Sequence, residues 1–307
     1  MATSYSSSLE NVEDPFSLFS TGDDLAAFTA FKALSLENLV RTRFKNSDYV
    51  PLNSRKSVYS VSHNGSEAVV KYIPYTTFGH TEMFYTRTFS GGLGPVLQQF
   101  TCLDSCMEMV LEKADTDLSK RRIINQDHLL AVARDVAFLC YELELSGLGH
   151  YDIKPENVLC FVQEDDREVL RLADFGFTMP RKRFYDHYSG FPIGTPGYIP
   201  PEEYLDDVDD IVPPYAALPS SLQGHQDIFA YGALLYHLLK GEQALPLLSP
   251  PERKQLMLSG EYSQYFLNIH LQKTSPEVQE IIYCCTNPDP RTRPDSFGDI
   301  LSILGDP

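Results

Sequence analysis

A chain of 307 residues with 43% apolar content can form one large domain or two modest ones around a substantial buried core. Its formal net charge of −17, from 42 acidic and 25 basic residues, argues against a nucleic-acid-binding surface and leaves two readings, basic peptide partners or plain solubility. The six cysteines form no zinc-type CxxC pair, the Ser-rich start lacks the pattern of a secretory signal, and the longest apolar run, around Ile228 to Leu239, is too short for a bilayer. The expectation is a soluble intracellular protein, cytoplasmic or nuclear, with no membrane partner.

Residues 1 to about 22 are rich in Ser, Asp and Glu and predict little order. From Asp23 to Phe44, the spacing of Leu25, Phe28, Phe31, Leu34, Leu36, Leu39 and Val40 predicts one or two amphipathic helices. They are either an extension packed on the body of the protein or a surface for a partner. The period then changes. Tyr49 to Leu52, Val58 to Val61 and Ala68 to Ile73 read as short strands, with a hairpin turn at His63-Asn64-Gly65-Ser66. Lys71 falls near the end of the third. The connection Leu52-Asn53-Ser54-Arg55-Lys56-Ser57 contains no glycine, though Asn53 tolerates a positive φ. Arg55 and Lys56 either supply charge there or are solvated.

Thr76 to Phe89 predicts a helix with a single acidic residue, Glu82, stopped by the Gly/Pro run from Gly91 to Pro95. Met107 to Ala114 reads as a further strand, and Asp127 to Leu145 as a long amphipathic helix with Leu129, Leu130, Val132, Val136, Leu139 and Leu143 on one side. The segment from Gly149 to Leu159 then sets Asp152, Lys154 and Asn157 within six positions. A fixed aspartate can take or orient a proton, a lysine can meet developing negative charge, and an amide oxygen suits a hard divalent cation. Seventeen residues beyond Asn157, the strand pattern Val169 to Ala173 delivers Asp174-Phe175-Gly176.

These two segments resemble the catalytic loop and the metal-binding DFG motif of the eukaryotic protein kinase superfamily. Gly194-Thr195-Pro196-Gly197-Tyr198-Ile199-Pro200-Pro201-Glu202 is similar to the end of that family's activation segment, with Pro200 where Ala is usual. Asp227 to Tyr236 resembles the central helix whose aspartate braces the catalytic loop, and Asp289 to Pro294 the late arginine motif, with Arg293 the expected partner of Glu202. Asp206 to Asp210 is an acidic run that either faces solvent or recruits basic substrates.

The resemblance implies an α+β, bilobal kinase fold over residues 48–305, after an extension over 1–47 that is partly disordered and then helical. A small β-rich N-lobe would span 48–113 and a larger helical C-lobe 114–305. It also implies ATP and Mg²⁺ as cofactors and a protein substrate, basic in character if the acidity is used. By the same resemblance, Asp152 and Lys154 are catalytic, and Asn157 and Asp174 hold the metal. Lys71, paired with Glu82, holds the nucleotide phosphates. The backbone from Glu112 to Ala114 follows the gatekeeper Leu111 to the adenine edge, Asp117 lies near the ribose, and Asn53 and Val58 belong to the nucleotide loop. Lys154 and the Gly-Thr-Pro-Gly-Tyr segment resemble the Ser/Thr branch. Thr195 would bond Asp152 and Lys154.

Two departures stand out. Tyr151 replaces the arginine usual before the catalytic aspartate, which would detach activity from phosphate on Tyr185, Ser189 or Thr195. The nucleotide loop lacks its glycines. Two functions follow, an active Ser/Thr kinase or a pseudokinase that binds or scaffolds.

Overall fold

The β-branched and aromatic residues of 58–73 build β2 (Val58–His63) and β3 (Ser66–Ile73), which turn through Asn64 and Gly65 at φ 53° and 81°. This computed structural model describes residues 21–45, 47–53, 57–183, 193–204, 225–243, 252, 255–256, 259 and 274–305. The Ser-rich start, Arg55 and Lys56, the tyrosines 185 and 188 with Ser189, and the acidic run 206–210 lie outside the described residues. The chain divides into two compact units, one of residues 1–88 and 96–113, the other of 89–95 and 114–307.

In the first unit, β1 (Val50–Pro51), β4 (Leu97–Cys102) and β5 (Met107–Glu112) complete an antiparallel sheet in the order β1-β2-β3-β5-β4. The pleat separates its residues by face. Ala68, Val70, Tyr72 and Val110 join one buried cluster with Val40, and the flanking Phe31, Leu34, Leu36 and Leu39 pack against it. These last residues come from α1 (Thr21–Lys32) and the turn and helix α2 (Leu36–Arg43) that follow, so the two predicted helices are a cover for this face of the sheet. Ile73, Met107, Met109 and Leu111 form the other cluster, covered in part by Met83 of α3 (Thr77–Thr88). Lys71 shares the parity of Val69 and Ile73, and α3 is where its partner sits.

Glu108 falls on the α2 face and is fully buried. Burying a carboxylate alone is prohibitive, and here it is matched. Arg43 at the end of α2 donates to both its oxygens, at 2.7 and 2.8 Å, and the Tyr72 hydroxyl donates at 2.9 Å. Burial, and then the charge beside it, raises the Tyr72 phenol well above its ordinary range.

In the second unit, α4 (Gln126–Leu145) begins at Asn125, whose side chain accepts the His128 N–H at 2.8 Å, the usual cure for an unsatisfied first turn. Strands β6 (Thr116–Asp117), β8 (Val158–Val162) and β9 (Glu168–Leu172) form one small sheet, and β7 (Leu148–Gly149) pairs with β10 (Met179–Pro180). Helix α5 (His225–Lys240) is buried from His225 through Tyr236 and packs on α4, where the Tyr231 hydroxyl donates to Ala133 O at 2.8 Å. Helices α6 (Pro276–Cys285) and α7 (Phe297–Leu304) close this core, with Tyr231 and Phe297 edge to face. Among the described residues no helix is long and apolar enough to cross a membrane.

Candidate active site

The loop after β7 is bent by one residue. Tyr151 adopts φ 61°, a left-handed conformation that a bulky side chain enters only at a cost of about 1–3 kcal/mol. Asp227 of α5 holds it there: Oδ2 accepts the His150 N–H at 2.6 Å and Oδ1 the Tyr151 N–H at 2.8 Å. Burial raises the Asp227 carboxyl, and the two amide bonds and His150 oppose that rise. His150 is fully enclosed. Its Nδ1 accepts the Asp152 N–H at 3.3 Å, which leaves Nε2 to donate to Ala173 O at 3.1 Å. Burial lowers its pKa despite three nearby aspartates, in keeping with a neutral ring.

The Tyr151 ring, 2% exposed, folds back over Gly149. A Cβ at 149 would lie 2.5 Å from the ring's Cζ, so the glycine is a spatial requirement of the tyrosine. Gly149 in turn pairs with Met179, which is fully buried. The nearest following cation, Arg181, is turned onto Glu144 at 2.7 Å. Glu144 also uses its second oxygen to accept the Phe297 N–H at 2.8 Å.

Asp152 is gripped on every side. Lys154 Nζ donates to its Oδ2 at 2.7 Å and to Thr195 Oγ1 at 2.7 Å, while Thr195 Oγ1 donates to Asp152 Oδ1 at 2.7 Å. Asn157 Nδ2 donates to Asp152 Oδ2 and to its backbone carbonyl, both at 2.9 Å. This network fixes the carboxylate rotamer and commits the amide nitrogen of Asn157, so its Oδ1 is the group's remaining donor toward a cation. The Ala173 N–H donates to Asn157 O at 2.9 Å and brings the next residue, Asp174, alongside. Asp174 is exposed and also left-handed, at φ 64°. Its neighbour Phe175 is buried between His150 and Phe89, at centroid distances of 5.4 and 5.3 Å.

An amide oxygen and a carboxylate are hard donors that fit Mg²⁺, which takes one or two protein oxygens and completes its shell with phosphates and water. No group of three His, Cys, Asp or Glu side chains forms a metal site among the described residues, and this ion does not require one.

In the first unit, Lys71 Nζ meets Glu82 Oε1 at 2.8 Å, with side chains 20% and 6% exposed. Asn53 is placed differently from a flexible loop residue. It does not appear among the residues with positive φ. Its Oδ1 instead accepts the N–H of Ser57 at 2.9 Å and of Val58 at 3.3 Å, and its Nδ2 donates to Ser57 Oγ at 3.0 Å. A side chain thus closes the turn. Glu112 exchanges bonds with Val96, its N–H donating to Val96 O and its Oε1 accepting the Val96 N–H. Ala114 opens the second unit. Asp117 is engaged locally, accepting from Ser119 N–H and Lys120 Nζ at 3.1 and 2.6 Å and from the Ser119 hydroxyl.

A family model described as the protein kinase domain matches residues 97–302. The chain belongs to that family. The match takes in Asp152, Asn157, Asp174 and Arg293, while Lys71 and Glu82 precede it. This kinase domain is 27% identical over 186 residues to the phosphorylase b kinase gamma catalytic chain, liver/testis isoform, of Rattus norvegicus, covering 57% of the present chain and 40% of that one. It is 26% identical over 209 residues to the calcium and calcium/calmodulin-dependent serine/threonine-protein kinase of Lilium longiflorum, covering 65% and 36%. The chain therefore spans well under half the length of these relatives.

A further buried ion pair joins Glu202 to Arg293, at 2.6 and 2.8 Å with side chains 2% and 0% exposed. Sequence reasoning found that pair but missed its neighbour. Glu203 has a buried Oε1 with no hydrogen-bond partner among the described residues, and burial, then the adjacent Glu202 charge, push its carboxyl up to about 8. The folded chain keeps a proton on Glu203 where the unfolded chain has lost it. Stability from this group is therefore full below about pH 4.5 and falls as pH rises toward 8, by up to about 5 kcal/mol. Urea unfolding across that range should show the decline in wild type and a flatter curve in Glu203→Gln. Parallel curves would show that Glu203 titrates normally.

Proposed function

We propose that this chain is a Ser/Thr protein kinase that transfers the γ-phosphate of ATP to protein hydroxyls. The observation that carries the reading is the network around Asp152, in which one carboxylate is oriented by Lys154, Asn157 and Thr195 together. Asp152 orients the substrate hydroxyl and takes its proton. Lys154 meets negative charge on the transferred phosphoryl, and Lys71, held by Glu82, anchors the α- and β-phosphates. Asn157 and Asp174 would hold Mg²⁺, which when bound neutralises phosphate charge. The backbone of Glu112 and Ala114 would meet the adenine, and Asp117 the ribose, once its local bonds open. The acidity of the chain favours basic protein substrates in an intracellular compartment. Purified protein with Mg²⁺-ATP should phosphorylate itself or a basic Ser/Thr peptide, and Asp174→Ala should abolish the signal. Signal that survives the substitution, or wild type with no ATP-dependent thermal shift, would overturn the reading.

In this reading activity does not depend on phosphate on the activation segment. The Tyr151 ring lies buried over Gly149 where a cation would read such a phosphate, and Arg181 is paired with Glu144. The Thr195 hydroxyl is committed to Asp152 and Lys154, so phosphate there would break the site. Phosphatase treatment should leave the specific activity within about twofold; a tenfold loss would require a phosphate receptor elsewhere.

A pseudokinase reading has one observation in its favour. Asn53 consumes the N–H groups of Ser57 and Val58, which leaves this loop poorer in amides for phosphate. Nucleotide binding measured with and without Mg²⁺ separates the two readings, because only the active one needs both ATP and the cation.

A further inference from the structure

Glu82 can reach Lys71 only while α3 sits at one height against β3. The seat is close, since a Cβ on Gly79 would lie 2.0 Å from the Pro74 carbonyl oxygen. The helix does not secure this seat alone. Its first turn carries no acidic residue of its own to offset the positive end of its dipole. Thr76 Oγ1 accepts the Gly79 N–H at 3.1 Å, and the Thr77 N–H goes to a residue 53 positions earlier, Asp24 of α1, at 2.8 Å. The segment that presents Asp24 is itself anchored. Val40 is fully buried against the sheet, and Arg43 forms its two bonds with buried Glu108.

We propose that Asp24 is a positioning residue for phosphoryl transfer: it lends α3 the missing anion, and residues 21–43 act as an intramolecular activator that keeps Glu82 on Lys71. The proposal rests on the kinase reading and deepens its Lys71–Glu82 part. It makes the segment before the sheet a working part of the first unit. The task of seating this helix then falls to the chain itself, with no need of a partner or a phosphate.

The test uses the full chain with Asp24→Ala, Asp24→Asn and, as an exposed control, Asp48→Ala. Lys71 is labelled with an amine-reactive ester and quantified by mass spectrometry, with Lys113 of the same unit as internal reference. Steady-state kinetics with Mg²⁺-ATP run in parallel. Loss of the cap in Asp24→Ala should raise Lys71 labelling and lower kcat, each about fivefold, with Lys113 labelling unchanged. Asp24→Asn, which keeps the acceptor but not the charge, should fall between, and Asp48→Ala should match wild type. Unchanged Lys71 labelling and kcat in Asp24→Ala would overturn the proposal, as would an equal rise at Lys113, which marks general loosening. If Asp24→Ala fails to fold, Asp24→Asn decides by the same measures. Wild type without phosphoryl transfer would sink the kinase reading, while the labelling would still decide the role of Asp24.

Discussion

Asp152→Asn should lower kcat by about 10²–10⁴-fold while leaving the KM for ATP within about threefold, because the lost interaction belongs to the transition state. Asparagine fills the same space and can still accept from Lys154 and Asn157, which donate to Oδ2 at 2.7 and 2.9 Å. What it cannot do is take a proton from the substrate. Steady-state kinetics on the folded variant decide the matter. A variant with wild-type kcat would remove Asp152 from the chemistry and leave Lys154 as the group to test.

The second large effect is on stability. Arg293 and Glu202 meet at 2.6 and 2.8 Å with almost no exposure, and the guanidinium also lies over the Phe229 ring at 5.0 Å. Arg293→Ala leaves a buried, unpaired carboxylate beside Glu203 and should cost about 3–5 kcal/mol in denaturant unfolding. The double variant Arg293→Met with Glu202→Leu should recover most of that loss, since much of the penalty is the stranded charge. A single variant that loses less than about 1 kcal/mol would place the pair with exposed ion pairs in its energetics.

The parts of the molecule legible in the sequence are those whose physics is local. The run from Gly149 to Asn157 carries its acid, cation and amide within a few positions, and the strands of residues 58–73 are rich in β-branched and aromatic residues around an Asn-Gly turn. The bracing Asp227 and the pairing of Arg293 with Glu202 were legible through family resemblance, because each lies in a recognisable short motif. The edge strand β4 was not read; its burial alternates, yet half of its residues, Gln98, Gln99 and Thr101, are polar and the apolar ones do not follow that alternation. Long-range contacts left less trace. Nothing near Asp24 announces Thr77, and nothing near Arg43 announces Glu108, 65 positions away. One signal was available. A glutamate inside Met107-Glu108-Met109-Val110-Leu111 must either face solvent or find a cation, and the strand is buried on both faces. Asn53 shows the opposite limit. Its tolerance of positive φ was a sound property of the residue type, but the chain uses its side-chain oxygen instead.

The packing of Tyr151 over Gly149 also dictates the order in which this loop can change. With Tyr151 in place, any side chain at 149 meets the ring at 2.5 to 2.8 Å, so the glycine is locked. Once Tyr151 is exchanged for a residue that points elsewhere, position 149 is released and can take on bulk, and the tyrosine then fits again only after 149 has returned to glycine. Positions 149 and 151 are thus coupled, and a library that varies them singly will misjudge how much this loop tolerates.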